Sequence, residues 1–198
     1  MSEERAHRHH RPAPVEGRFF DDHAGGTDPA LVTEAGERAA EILVRGARDS
    51  ADDAVAERLV HLADTEGIEA IAEVWSGAPA DSLAGCLWRL YLLRSWVYAD
   101  PVAVARQFDR GRRTDAFAEV VAGVADPPGP EELRTMIDAV LRGIASGDFA
   151  DVLFRASAFA RIVAAGRATE AHGEVRRMLV LAEQLEAAGH AELARAVE

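Results

Sequence analysis

Residues 83–98 read LAGCLWRLYLLRSWVY and form the most apolar segment of the chain. Apolar side chains would lie on nearly every side of a helix formed by this segment, and its only strongly polar residues are Arg89, Arg94 and Ser95. A helix that is apolar nearly all round is buried on most sides. The segment is therefore predicted to be the central core helix of an all-α protein, in which a buried Arg89 or Arg94 pairs with a carboxylate.

The aromatic residues of this segment also allow a functional interpretation. Trp, Tyr and Arg are enriched at the energetic centres of protein interfaces. One side of the helix would then be a groove or a dimer surface, with Trp88, Tyr91, Arg94 and Trp96 as the candidate contacts.

The rest of the chain after residue 28 also has helical periodicity. In 130–147 the apolar residues follow each other at steps of three and one, which makes one continuous stripe: Leu133, Met136, Ile137, Val140, Leu141 and Ile144. The connections are short, so neighbouring helices are expected to be antiparallel. The sequence predicts nine or ten helices in successive hairpins, arranged as a compact orthogonal bundle or a short solenoid.

Capping residues and helix breakers predict where the helices begin and end. Asp100 and Asp148 are expected N-caps, and either Asp81 or Ser82 is expected to cap the aromatic helix. Thr65 is expected to cap a helix near 66–76, and Gly189 is expected to end the last long helix. Residues 1–28 lack apolar periodicity and are predicted to be a disordered or loosely docked tail. The helical domain would then span 29–198, with a subdomain break at the proline-rich residues 126–130.

Composition excludes several classes of site. The 198 residues fit one domain with a tail, the formal net charge is −12, and the chain contains neither Lys nor Asn. A Schiff-base lysine and a lysine-dependent phosphate loop are thus excluded, and so acidic a chain is not expected to bind nucleic acid. The single cysteine, Cys86, excludes an internal disulfide and is expected to pack in the core.

Four arginines follow the aromatic segment closely: Arg106, Arg110, Arg112 and Arg113. Residues 82–125 hold 6 Arg against 4 acidic residues, whereas both flanking regions are acidic. One interpretation is a solvated loop that pairs with the acidic N-terminal half. The other is a contact for an anion or a carboxylate, because the guanidinium group is a planar bidentate donor.

Acidic residues with one histidine share a helix face earlier in the chain. Asp53, Glu57, His61 and Asp64 are spaced by four, four and three residues, and the apolar residues of the same segment fall on the opposite face. We expect a solvated acidic face, since the ligands of a metal site in a bundle would point inward. The chain has no nucleophile elbow and no glycine-rich phosphate motif, so no catalytic, metal or cofactor-binding residue is predicted.

The tail contains two adjacent aromatic residues, Phe19 and Phe20, in an otherwise polar context. They are expected either to pack on the surface of their own domain or to anchor another protein or a second protomer. The tail shows no apolar signal core, and no run of about 18 apolar residues is present, so we expect a cytoplasmic protein without a membrane span. Arg in place of Lys and the lack of Asn are typical of a GC-rich bacterial genome.

These observations favour a non-catalytic, cytoplasmic interaction or regulatory protein that binds another protein or itself and uses no cofactor. The alternative is a helical domain that binds a small ligand or acts as an enzyme. Its pocket would lie between the aromatic helix and Arg106–Arg113 and would hold an anionic or aromatic ligand.

Overall fold

Helices account for nearly all the residues that the computed structural model describes, which are 28–49, 53–114, 128–146, 148–167 and 172–197. These residues form nine helices and no strand: α1 (Pro29–Asp49), α2 (Asp53–Val60), α3 (Leu62–Glu66), α4 (Ile68–Trp75), α5 (Leu83–Ala99), α6 (Pro101–Arg112), α7 (Pro130–Ser146), α8 (Phe149–Gly166) and α9 (His172–Val197). The all-α prediction is confirmed. Residues 1–27 of the predicted tail and residues 126–127 of the predicted break lie outside the described residues.

The predicted N-caps of three helices are confirmed. The side chains of Ser82, Asp100 and Asp148 accept hydrogen bonds of 2.9–3.1 Å from backbone N–H groups in the first turns of α5, α6 and α8. Glu37 of α1 adds a second cap to α5, because its carboxylate accepts from the first two backbone N–H groups of that helix at 2.9 and 3.0 Å. This contact fixes the start of the most apolar helix against α1.

Two predicted helix ends are wrong. The break before α4 is made by Gly67 at a φ of 84°, a conformation that favours glycine, while the Thr65 hydroxyl bonds back to the carbonyl of His61 within α3. Gly189 does not end a helix, since α9 continues through it to Val197. A Cβ at Gly189 would lie 2.9 Å from the ring of Phe154, so this glycine lets α8 pack closely on α9.

The prediction that α5 is the central core helix is confirmed. It contacts helices from both ends of the chain: α1, α4, α6, α7, α8 and α9. Helices distant in sequence also meet, such as α1 with α7, whereas a solenoid repeat would contact only its neighbours. The bundle alternative fits these contacts. The antiparallel hairpin order and the subdomain break at 126–130 stay predictions.

Helices α6 and α8 cross at unusually short range. A Cβ at Gly111 would lie 1.8 Å from the carbonyl oxygen of Ile162, and one at Gly166 would lie 1.7 Å from that of Gln107. No other residue type fits at such a distance. The crossing holds the arginine-rich end of α6 against the C-terminal end of α8.

Candidate functional site

The most strongly buried charge in the described chain is Arg94 in the middle of α5, which is 1% exposed. Its guanidinium donates to Asp138 on α7 at 2.8 Å and to both carboxylate oxygens of Asp64 on α3 at 2.8 and 2.9 Å. The Tyr98 hydroxyl donates to the second oxygen of Asp138 at 2.6 Å, and the Arg94 guanidinium lies 4.0 Å from the centre of the Tyr98 ring. One cation thus joins three helices.

Helical spacing brings the surrounding groups to the same place. Arg94 and Tyr98 are four residues apart on α5, so they share a face, and the same spacing separates Asp138 from Arg142 on α7. Arg142 donates to Glu57 of α2 at 2.6 Å. Together these ion pairs attach α2 and α3 to α5 and α7.

The fixed hydrogen bonds favour the charged forms of this network. The hydrogen bond from Arg94 holds the pKa of Asp64 below its usual value, although partial burial opposes the shift. The hydrogen bond from Arg142 lowers the pKa of Glu57 in the same way. Burial by itself would lower the pKa of Arg94, but its hydrogen bonds to Asp64 and Asp138 raise it above its usual value.

The network confirms one expectation and corrects another. Arg94 forms the internal pair with a carboxylate that was predicted for Arg89 or Arg94, while Arg89 bonds to Gln184 at 2.7 Å. The acidic face of α2 and α3 is not simply solvated, because Glu57 and Asp64 are bound by arginines of α7 and α5. The side chain of Asp53 lies outside the described residues.

This network is arranged as a structural connection. Its buried donors and acceptors are paired with each other, and His61 contacts the same Asp64 at 2.8 Å. No group of three or more His, Cys, Asp and Glu residues in the described part of the chain is arranged to hold a metal ion.

Two predicted contact residues are buried and therefore do not lie on an exposed surface. Tyr91 is 0% exposed and its hydroxyl donates to the backbone carbonyl of Leu59, and Arg94 is enclosed as described above. Both were assigned to a contact surface because of their residue type, but their polar atoms form hydrogen bonds inside the bundle. Trp88 is partly buried against the core, so only part of its ring remains accessible.

Cys86 of α5 packs in the core, as the sequence predicted. Cys86 is 3% exposed, and burial raises the pKa of its thiol to about 12. The thiolate form is therefore scarce at neutral pH, which disfavours nucleophilic chemistry at this position.

Three arginines of the α6 cluster make contacts within α6 and with α8. Arg112 and Arg113 both contact Asp109 of the same helix at 2.9 Å. Arg110 donates to the carbonyl of Gly166 at 2.9 Å, at the C-terminal end of α8, where the helix dipole favours a cation. Arg106 is exposed on the same helix.

A cleft of about 380 Å³ lies between α5 and α9 and is open to solvent on one side. Its wall is formed by Leu92, Leu93, Trp96, Met178 and Leu181, and three charged residues lie at its rim: Arg167, Glu174 and Arg177. The guanidinium of Arg167 lies 5.4 Å from the centre of the Trp96 ring and also pairs with Glu174. We call this feature the Trp96 cleft.

The Trp96 cleft differs from the pocket expected from the sequence. That pocket was placed between the aromatic helix and Arg106–Arg113, whereas the wall opposite Trp96 comes from α9. The two regions are nevertheless linked, because Arg110 bonds to Gly166 and the next residue, Arg167, lines the cleft. The contributions of Arg167 and Arg177 were missed, since sequence alone does not reveal which face of α9 meets α5.

No protein-family model matches the chain, and no curated protein or solved structure is significantly similar to it. In the described part of the chain, no helix is both long enough and apolar enough to cross a membrane. What the protein does must therefore be inferred from its own residues.

Proposed function

We propose that the protein is a non-catalytic helical interaction module that binds a partner protein in the Trp96 cleft. The bound segment of the partner carries an apolar side chain next to carboxylates. The observation that carries this proposal is an aromatic cleft whose rim holds two arginines and only one carboxylate, Glu174. Exposed apolar surface bounded by polar residues is typical of interaction sites.

The charge distribution supports an acidic partner. The side chain of Arg177 makes no hydrogen bond or ion pair with the residues that the structure describes, and it lines the cleft beside Arg167. The basic end of α6 is attached to the same region through Arg110. On a chain with a formal net charge of −12, such a local concentration of arginines would direct a carboxylate-bearing segment to this side of the bundle.

A library of random peptides selected on the full chain would test the proposal. We expect the selected peptides to combine an aromatic or large aliphatic residue with Asp or Glu. Their affinity should fall roughly three- to tenfold on Arg177→Glu, because a rim charge contributes modestly to binding. Leu92→Ser, which removes an apolar side chain that is 39% exposed, should also weaken binding.

Matched controls separate the cleft from general effects of charge and surface. Arg58→Glu makes the same charge change on the exposed face of α2, and Val102→Ser removes a 47% exposed apolar side chain of α6 that does not line the cleft. Both should leave peptide affinity unchanged. Selected peptides without carboxylates, or equal losses in the control variants, would overturn the proposal.

The alternative of a small-ligand site has one observation in its favour, the size of the cleft. A volume of about 380 Å³ lies at the small end of the range for ligand sites, roughly 300–1,000 Å³. A thermal shift with small aromatic carboxylates such as phenylacetate, abolished by Arg177→Glu but not by Arg58→Glu, would favour this alternative.

We also propose a bacterial cytoplasmic setting, in which the partner is another protein or a second copy of this chain. The composition supports a GC-rich bacterial source, and a single buried cysteine is compatible with a reducing compartment. Sedimentation of the purified chain would distinguish a self-associating module from one that needs a different partner.

A further inference from the structure

Helix α1 has two apolar faces, and the bundle covers only one of them. The covered face contains Gly36, Ala40, Val44 and Ala47. The second face contains Val32, Ala35, Ala39, Ile42 and Gly46, whose spacing of three and four residues repeats as in a helix that packs against another segment. All five are exposed; Ile42 is 67% exposed, and the adjacent Leu31 is 58% exposed.

Apolar side chains at this spacing normally pack against a partner. A large apolar side chain that stays exposed lacks the favourable free energy that burial away from water would provide. Val74 of α4, which approaches α1 at Gly36, is also 44% exposed. On the other edge of the second face stand Arg45 and Arg38, of which Arg38 pairs with the exposed Glu34 of the same helix at 2.6 Å. The surface is thus an apolar stripe with two exposed arginines along one edge, one of them in an exposed ion pair.

We propose that this second face of α1 is covered by the chain's own preceding segment, through Phe19, Phe20, Asp21 and Asp22. These four residues combine two large apolar side chains with two carboxylates, which complements a stripe of apolar residues bordered by arginines. The segment lies outside the described residues, and its attachment point, Asp28, is next to the start of the stripe.

The length of the connection permits this arrangement. Phe20 precedes Pro29 by nine residues, and Gly25-Gly26 between them provides a place for the chain to reverse. Five extended residues from Gly25 back to Phe20 span about 17 Å. Along α1, at 1.5 Å per residue, this distance corresponds to about 11 residues, which reaches the region of Ala39 and Ile42. Asp21 and Asp22 then come within reach of Arg38.

The test uses a cysteine reporter on the stripe of the full chain. Ala39→Cys introduces an exposed thiol at small cost in volume, and Ala187→Cys on the exposed face of α9 provides a matched control thiol. If docking favours the covered state by a factor of about ten, the thiol at position 39 should react about tenfold more slowly with a disulfide reagent than the control thiol.

Changes in the tail should then remove this protection. Phe19→Ser together with Phe20→Ser should raise the reaction rate at position 39 to that of the control thiol, and Asp21→Asn with Asp22→Asn should raise it in part. Val15→Ser, an apolar change in the same segment, should have no effect. The buried Cys86 reports on the fold in every variant, because its thiol reacts only if the bundle opens.

Three outcomes would overturn the proposal. With the tail unaltered, the thiol at position 39 could react as fast as the control thiol. Alternatively, its protection could persist in the variant that carries Phe19→Ser and Phe20→Ser. Protection that increases with protein concentration would instead assign the stripe to a second copy of the chain.

Discussion

At the scale of single residues, Arg94 is expected to be the most sensitive position in the bundle. Arg94→Met would leave the carboxylate of Asp138, whose side chain is 10% exposed, without its cation. Removing one partner of a buried ion pair typically costs about 3–5 kcal/mol. We expect a loss of this size in the free energy of unfolding, measured by urea denaturation.

Two further variants show whether the buried charge is the cause. Arg94→Met combined with Asp138→Leu should recover more than half of the loss, because no unpaired carboxylate then remains in the core. Arg113→Met removes an arginine that is 66% exposed and should cost less than about 1 kcal/mol. If the double variant were as unstable as Arg94→Met alone, lost packing would be the explanation.

The residue scale also marks the limit of sequence interpretation for this site. An arginine in an otherwise apolar helix predicted an internal ion pair, because a buried charge requires a partner. The identity of the partners could not be predicted, since Asp64 and Asp138 are separated from Arg94 by 30 and 44 residues. Tyr91 was misassigned for a related reason, as a tyrosine with a buried hydroxyl and one at an interface have the same local sequence signal.

At the scale of elements, the crossing of α6 and α8 should depend on its two glycines. Gly111→Ala and Gly166→Ala each place a Cβ less than 2 Å from a backbone carbonyl oxygen of the other helix. The helices would have to separate, and we expect a loss of at least about 2 kcal/mol in the free energy of unfolding for each variant. Gly46→Ala in α1 places its Cβ within 4 Å of no described atom and should instead stabilise by about 0.5–1 kcal/mol. Similar effects at all three positions would contradict a close crossing.

Helix ends were predictable where a local signal determines them. Ser82, Asp100 and Asp148 cap their helices through their own side chains, and those signals lie within three residues of the bond they make. Gly189 was misinterpreted as a helix end because the sequence does not distinguish a glycine that ends a helix from one that allows a neighbouring helix to pack closely. The difference depends on Phe154 of α8, which is remote in sequence.

At the scale of the whole molecule, the sequence predicted an all-α protein built around residues 83–98 but could not predict the Trp96 cleft. Its two walls come from α5 and α9, so it exists only once these helices pack against each other. Single residues such as Trp96 could be nominated from their type. The arginines that surround it could not, because Arg167 and Arg177 lie about 70–80 positions later in the chain.

The ion pairs that join α2 and α3 to α5 and α7 should make the stability of the whole bundle sensitive to acid. The pKa values of Asp64 and Glu57 lie below their usual values of 3.8 and 4.5, owing to hydrogen bonds from Arg94 and Arg142. A group whose pKa is depressed by folding contributes stability above its unfolded pKa, and this contribution is lost as the pH falls through the folded pKa. We therefore expect the free energy of unfolding to decrease from about pH 5 downward.

Asp64→Asn should be less stable than the unaltered chain at pH 7, and the difference should shrink towards zero in strong acid. Glu73→Gln, a change at an exposed carboxylate of α4, is the control. Urea denaturation across this pH range measures all three chains, and a difference for Asp64→Asn that stays constant with pH would show that its ion pair with Arg94 does not couple protonation to folding.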